Sequence, residues 1–162
     1  MRSGAFPGGP GSRAMAKGLA PLHFEFAEGT GRHRIWGTAF ASRDGLAVNL
    51  VGGDWPHIGA VAISIPRPSL ANPRERSATT SVFTVLGHKE DELARPVAAG
   101  LAQALQRTTV VVAGIHIHRA RTADIAKVFE NAGRAVEVII TRVKAYGDRA
   151  PRPPKGYPRG TR

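Results

Sequence analysis

No cysteine occurs among the 162 residues of this chain. That absence removes disulfides, zinc–thiolate sites and thiol nucleophiles together, agrees with a reducing compartment, and leaves histidine and the carboxylates to carry any site chemistry. No apolar run approaches the roughly 18 residues that span a bilayer, and the Gly/Pro-rich N-terminal stretch has no signal-peptide apolar segment. A cytoplasmic protein without membrane contact is expected. Catalytic signatures are also missing: there is no His-Glu-x-x-His, no Gly-x-Ser-x-Gly and no Gly-rich phosphate loop opening a helix. No internal repeat is visible. Acidic residues are few, 12 against 23 basic, which leaves a net charge of +11.

Such a charge suggests a polyanionic partner, so its distribution matters more than its size. Residues 1–18 carry +3 and residues 147–162 carry +4. Both segments are rich in Gly and Pro and poor in apolar side chains, a composition that cannot bury enough surface to fold. They are expected to be disordered tails flanking one domain at 19–146. Tails of this kind touch phosphate backbones non-specifically, but only Phe6 and Tyr157 offer stacking, and no specific nucleic-acid partner is expected.

Within the domain the apolar pattern first has period two. Leu22, Phe24 and Phe26 alternate with His23 and Glu25, and a second strand over His33 to Ala41 follows Gly29-Thr-Gly31. Ser42-Arg-Asp-Gly45 has tight-turn chemistry, after which Leu46, Val48 and Leu50 point one way. A strand from Ile58 sets Val61, Ile63 and Ile65 against the small Ala60, Ala62 and Ser64, a face open to close approach by a helix or a flat ligand. The prolines of Pro66 to Pro73 exclude regular structure, and Ser77 to Leu86 returns as a strand. The period then changes. Leu93, Val97, Leu101 and Leu105 mark a helix with Asp91 and Glu92 at its start, in which Pro96 predicts a kink unless it lies in the first turn. After an apolar strand ending near His118, Thr122 is a candidate N-cap for a helix with a stripe from Ile125 to Val143, interrupted if anywhere around Asn131 and Gly133. The order β-β-β-β-β-α-β-α predicts an α+β fold, an antiparallel meander packed by helices on one face.

Polar residues cluster at the ends of these strands. Val111, Ala113, Ile115 and Ile117 alternate with Gly114, His116 and His118, so an extended backbone sets both imidazoles on one face, roughly 6.5–7 Å apart at Cα. Two such nitrogens converge on one metal ion or anion, or merely mark where a strand leaves the core. The sequence alone leaves both open. Asp54 and His57, the Arg67–Ser69 loop, Ser77 and Thr79, and His88, Lys89, Glu90 and Asp91 lie in similar positions. Gathered in space, they offer His57, His88, His116 and His118 with Asp54 as nitrogen and oxygen ligands, Arg67 and Lys89 as partners of an anion, and Ser69, Ser77 and Thr79 as hydroxyl donors, a set suited to a phosphorylated ligand with or without a metal. Taken singly, each has an ordinary reading as a turn, a cap or a solvated charge.

Gly53 to Ala62 (Gly-Asp-Trp-Pro-His-Ile-Gly-Ala-Val-Ala), Pro66 to Ser69, Ser77 to Thr79, Gly87 to Asp91 and Ala113 to Ile117 together resemble the small LpdD-like proteins. These are the D component accompanying bacterial gallate and hydroxybenzoate decarboxylases. The resemblance covers roughly Leu19 to Tyr146. It implies a fold similar to proteasome assembly chaperones, a homodimer, and a non-catalytic role carrying prenylated FMN from the flavin prenyltransferase to a UbiD-type aromatic acid decarboxylase. The family usually has Asp where this chain has His118, and Pro96 and the C-terminal tail are also departures.

Combined with the chemistry above, the cofactor-binding residues expected are Asp54, His57, Gly59, Arg67, Ser69, Ser77, Thr79, His88, Lys89 and His116. Arg67, Lys89 and the hydroxyls face the phosphate. Gly59, Ala60 and Ala62 receive the flat ring, with Trp55 stacking or shielding. A divalent metal is expected on His57, His88, His116 and His118. The alternative from another class is a metal-dependent hydrolase or an accessory enzyme subunit of the decarboxylase, with His57 and His116 as ligands and Glu90 or Asp91 as base.

Overall fold

The computed structural model describes residues 21–149. Six strands, β1 (Leu22–Glu28), β2 (Ile35–Ala41), β3 (Gly45–Gly53), β4 (Trp55–Pro68), β5 (Arg76–Thr84) and β6 (Thr108–His116), form one open sheet. Two helices, α1 (Asp91–Leu105) and α2 (Thr122–Arg149), cover it. The expected α+β class and the order of elements are those observed. The sheet order, β1-β2-β3-β6-β4-β5, adds what periodicity could not show: β6 enters between β3 and β4, parallel to the first and antiparallel to the second. Two antiparallel meanders are thereby joined through one late strand, whose Val111 and Ala113 are fully buried.

One face of the sheet is the core. Ile35, Ala39, Leu46, Val48, Leu50, Val111 and Ala113 turn inward beneath the helices. α1 lies on β4, β5 and β6 and presents Leu93, Val97 and Leu101; α2 lies on β1 and β2 and presents Val128, Ala132, Ala135, Ile139 and Val143. The small residues Ala60, Ala62 and Ser64 of β4 are fully buried. They admit the α1 backbone, so Ala60 and Ala62 offer no surface to a flat ring. Their larger neighbours Val61, Ile63 and Ile65 point to the other, uncovered face.

Pro96 sits in the second turn of α1. Its missing N–H leaves the Glu92 carbonyl without a helical donor, a loss that water offsets because Glu92 is exposed. α2 passes through Asn131 and Gly133 without interruption and continues to Arg149, beyond the expected domain end. Its cap is Arg121 rather than Thr122: Asp124 accepts from the Arg121 N–H at 2.8 Å, the returning half of a capping box. The rest of the two expected tails lies outside the described residues.

Candidate functional site

The pairing of β4 with β6 is broken at one place. Pro56 pairs with Ile115 and Ala60 with Ala113, so three residues, His57 to Gly59, stand opposite the single Gly114. A bulge of this kind bends a strand and re-aims its side chains. Gly114 is required for it, since a Cβ there would fall 1.7 Å from the His57 carbonyl oxygen. The displaced His57 meets two residues of the β5–α1 connection. Its Nε2 lies 2.8 Å from Nδ1 of His88 and 3.1 Å from Oε1 of Glu90, and the second Glu90 oxygen is 3.5 Å from His88 Nδ1.

Glu90 holds the N-cap position of α1, yet its side chain caps nothing. It is 13 % exposed, and its Oε2 is buried without a hydrogen-bond partner. Space for the carboxylate is made by Gly59, where a Cβ would stand 2.5 Å from it. His57 Nδ1 faces the carbonyl of Trp55 at 3.1 Å. Donation there places a hydrogen on Nδ1 and leaves the Nε2 lone pair to accept from His88 Nδ1–H at 2.8 Å, with a Glu90 carboxylate oxygen at 3.1 Å beside it. Two acceptors this close repel, and a proton on Nε2 or a cation between the groups relieves the contact. Ligands at about 2.0–2.1 Å from a tetrahedral ion are about 3.3 Å from one another. The separations of 2.8, 3.1 and 3.5 Å bracket that value. His57, His88 and Glu90 therefore fit a divalent cation with positions to spare, and the Trp55 carbonyl fixes the His57 ring from behind.

His116 stands at the edge of this corner, its ring edge-on to His57 at 6.4 Å between centroids. His118 does not join it. β6 ends at His116, and residue 118 sits in the turn that follows, held through its backbone: its N–H donates to Asp54 Oδ2 at 2.9 Å and its carbonyl accepts from Arg32. Asp54 pairs with Arg32 through the same Oδ2 at 2.9 Å. The His118 amide and the Arg32 guanidinium hold its carboxyl below the usual range. Asp54 thus acts as a latch on the β6–α2 connection. Lys89 is exposed at the mouth of an apolar cleft of about 180 Å³ beside Glu90, walled by Leu93, Ile115, Ile117, Ile125 and Phe129. Trp55 is 73 % exposed nearby.

The remaining expected residues lie elsewhere. Arg67 is ten residues along β4 from His57, about 30 Å at strand rise. Its Nε donates to Thr79 Oγ1 at 2.9 Å and its Nη1 to the Pro68 carbonyl at 2.8 Å. Ser77 pairs with Arg67 across the β4–β5 ladder, and Ser69 Oγ accepts from the Asn72 N–H at 3.4 Å within the following turn. The five polar constellations therefore divide between two ends of the molecule. His57, Gly59, His88, Lys89 and His116 gather with Glu90, and Arg67, Ser69, Ser77 and Thr79 gather at the opposite end. Sequence reasoning left Glu90 out of the ligand set; its spacing two residues after His88 was the available signal.

The family model described as prenylated flavin chaperone LpdD-like domain matches residues 29–144. The chain belongs to this family. The match contains the histidine corner, both helices up to Lys144 and all of the sheet except β1. No curated protein sequence matches the chain. The LpdD-like domain is a chaperone module rather than an enzyme by family, which agrees with the non-catalytic reading and gives the hydrolase alternative no support. The family description names prenylated flavin as what its members chaperone, and implies association with an enzyme that uses it. Among the described residues no helix is long and apolar enough to cross a membrane.

Proposed function

We propose that this LpdD-like protein is a cytoplasmic homodimer that accepts prenylated FMN from the flavin prenyltransferase and delivers it to a UbiD-type aromatic acid decarboxylase. The cargo is held at the histidine corner with the help of a divalent cation. The observation that supports this reading is the convergence of His57 Nε2, His88 Nδ1 and the Glu90 carboxylate, whose Oε2 is buried without a hydrogen-bond partner, beside an apolar cleft.

Three protein ligands leave coordination positions for oxygens of the cargo, and His116 stands within reach of the same corner. Lys89 supplies a further positive charge at the cleft mouth. The cleft takes apolar surface of the modified flavin. Both the cleft and Trp55 are open to solvent, as release to an acceptor requires. A flavin bound here does not reach Arg67, Ser69, Ser77 or Thr79 of the same chain. Dimerisation uses the uncovered sheet face, where Val61, Ile63, Ile65, Phe83, Val110 and Val112 lie together.

Anaerobic titration with reduced prenylated FMN and with plain FMN, in the presence and absence of Mn²⁺, tests the reading. Metal-dependent binding that prefers the prenylated flavin, weakens at least about tenfold in His57→Ala, and is followed by activation of an apo-decarboxylase is the expected result. Absence of flavin binding under every metal condition overturns it.

A further inference from the structure

The pole opposite the histidine corner contains a crevice of about 910 Å³, formed where the β2–β3 turn, the end of β4 with its following loop, and the α1–β6 connection meet. Arg43, Arg67, Arg74, Arg76 and Arg107 line it, against only Asp44 and Glu75. Both carboxylates are engaged within their own turns, Asp44 with Ser42 Oγ at 3.2 Å and Glu75 with Asn72 Nδ2 at 3.0 Å. Among the described residues, Arg67, Arg74, Arg76 and Arg107 form no ion pair.

Two of these guanidiniums are fixed in place. Arg67 is held by Thr79 Oγ1 and the Pro68 carbonyl, and Arg107 donates to the Ser42 carbonyl at 2.8 Å. Each retains unspent N–H donors, because a guanidinium carries five. Ile65, Pro66, Pro68 and Pro73 form apolar walls between the charges. The like charges of Arg67, Arg74, Arg76 and Arg107 around one concavity repel each other, and an anion between them relieves that repulsion. The planar fork of arginine matches phosphate oxygens two at a time. The volume lies in the range of sites for small ligands. Among the described residues no aromatic side chain lines the crevice, which sets it apart from the stacking platforms of single-strand nucleic-acid sites.

We infer that this crevice is an anion site that takes the phosphate group of a small, partly apolar ligand of nucleotide size. It is independent of the cargo site, about 30 Å away along β4, and does not rest on the carrier reading. The phosphate of a flavin nucleotide and that of another phosphorylated molecule present the same chemistry to it.

Calorimetric titration of the full chain at low ionic strength with inorganic pyrophosphate, FMN and riboflavin tests the site. The variants are the double charge reversal Arg74→Glu/Arg76→Glu and, separately, His57→Ala. Arg74 and Arg76 are exposed, so the reversal leaves the core intact, which a thermal melt verifies. The expected result is that pyrophosphate binds, weakens as salt is added, loses at least about tenfold in affinity in the double variant, and is unaffected by His57→Ala. FMN should share the dependence on the two arginines when metal is absent, and riboflavin should not. Pyrophosphate that fails to bind, or that binds the double variant as well as the parent, overturns the inference. So does pyrophosphate binding that disappears in His57→Ala, which would place the anion at the other pole. Loss of prenylated-flavin binding with the arginine site intact would sink the carrier reading alone.

Discussion

Glu90 shows how one side chain can be diverted from local to tertiary use. An acidic residue at a helix N-terminus is ordinarily placed by the helix dipole and by capping. Here the carboxylate turns from its own helix toward His57 and His88, into room that exists because residue 59 has no Cβ. A methyl group at residue 59 therefore tests the cation site without removing any ligand. Gly59→Ala displaces the Glu90 carboxylate and is expected to lower Mn²⁺ or Co²⁺ affinity about 10–100-fold, the size of effect seen when a ligand loses its support. Titration calorimetry reads this directly, and an affinity equal to the parent's would remove Glu90 from the ligand set. Because a metal binds only deprotonated ligands, acidification should weaken the same titration.

The connection between β6 and α2 is anchored in the core by Ile117 and held on its outer side by carboxylates. Asp54 binds the His118 N–H and Arg32; Asp124 binds His33 Nε2 at 2.7 Å and the Arg121 N–H. Its bond with His33, and then that with Arg121, hold Asp124 below the usual carboxyl range, as the His118 amide does for Asp54. A carboxyl depressed in the folded state contributes stability above its unfolded value, about 4, and that contribution is lost as pH falls through the lower folded value. Thermal melts from neutral pH downward should therefore show stability declining below about pH 4. Asp54→Asn should be less stable than the parent at neutral pH and decline less steeply in that window. Identical acid slopes for the two proteins would mean that Asp54 does not contribute to the latch. Farther along α2, Asn131 is fully buried and donates from Nδ2 to the His33 carbonyl, tying the helix to the same turn.

As a whole, the molecule is a half-covered sheet with chemically different poles. Both helices lie on one face, and the other leaves Phe83 75 % and Ile65 54 % exposed. Contiguous apolar surface of this kind is where the proposed dimer would form. If the proposed dimer forms through that face, Ile63→Lys at its centre is expected to yield a monomer with little change in melting temperature, as measured by light scattering after size exclusion. A parent protein that is monomeric at micromolar concentration would exclude the dimer. The two poles are chemically distinct because β4 is long. Its 14 residues place the histidine corner at one end and the arginine crevice at the other.

Much of this architecture was readable from residue order. Alternation named the strands, except that β4 starts at Trp55 rather than Ile58 and runs on through Pro66 to Pro68, where the prolines were expected to exclude regular structure; the four-residue recurrence of Leu93, Val97, Leu101 and Leu105 named α1, and Ser42 to Gly45 named a turn that closes with the Ser42 N–H donating to the Gly45 carbonyl at 3.0 Å. The alternation that puts His116 on the polar side of β6 was likewise legible, whereas its meeting with His57 and His88 was not. Those features rest on local geometry, which a short stretch of chain fixes by itself. What the tertiary structure decided is long-range. The insertion of β6 between β3 and β4, and the burial of the small face of β4 beneath α1, depend on partners distant in sequence. The bulge opposite Gly114 brought Glu90 to the histidines, while ten residues of extended chain carried Arg67 away from them. Pairing register and helix packing set such distances, and periodicity carries no information about either.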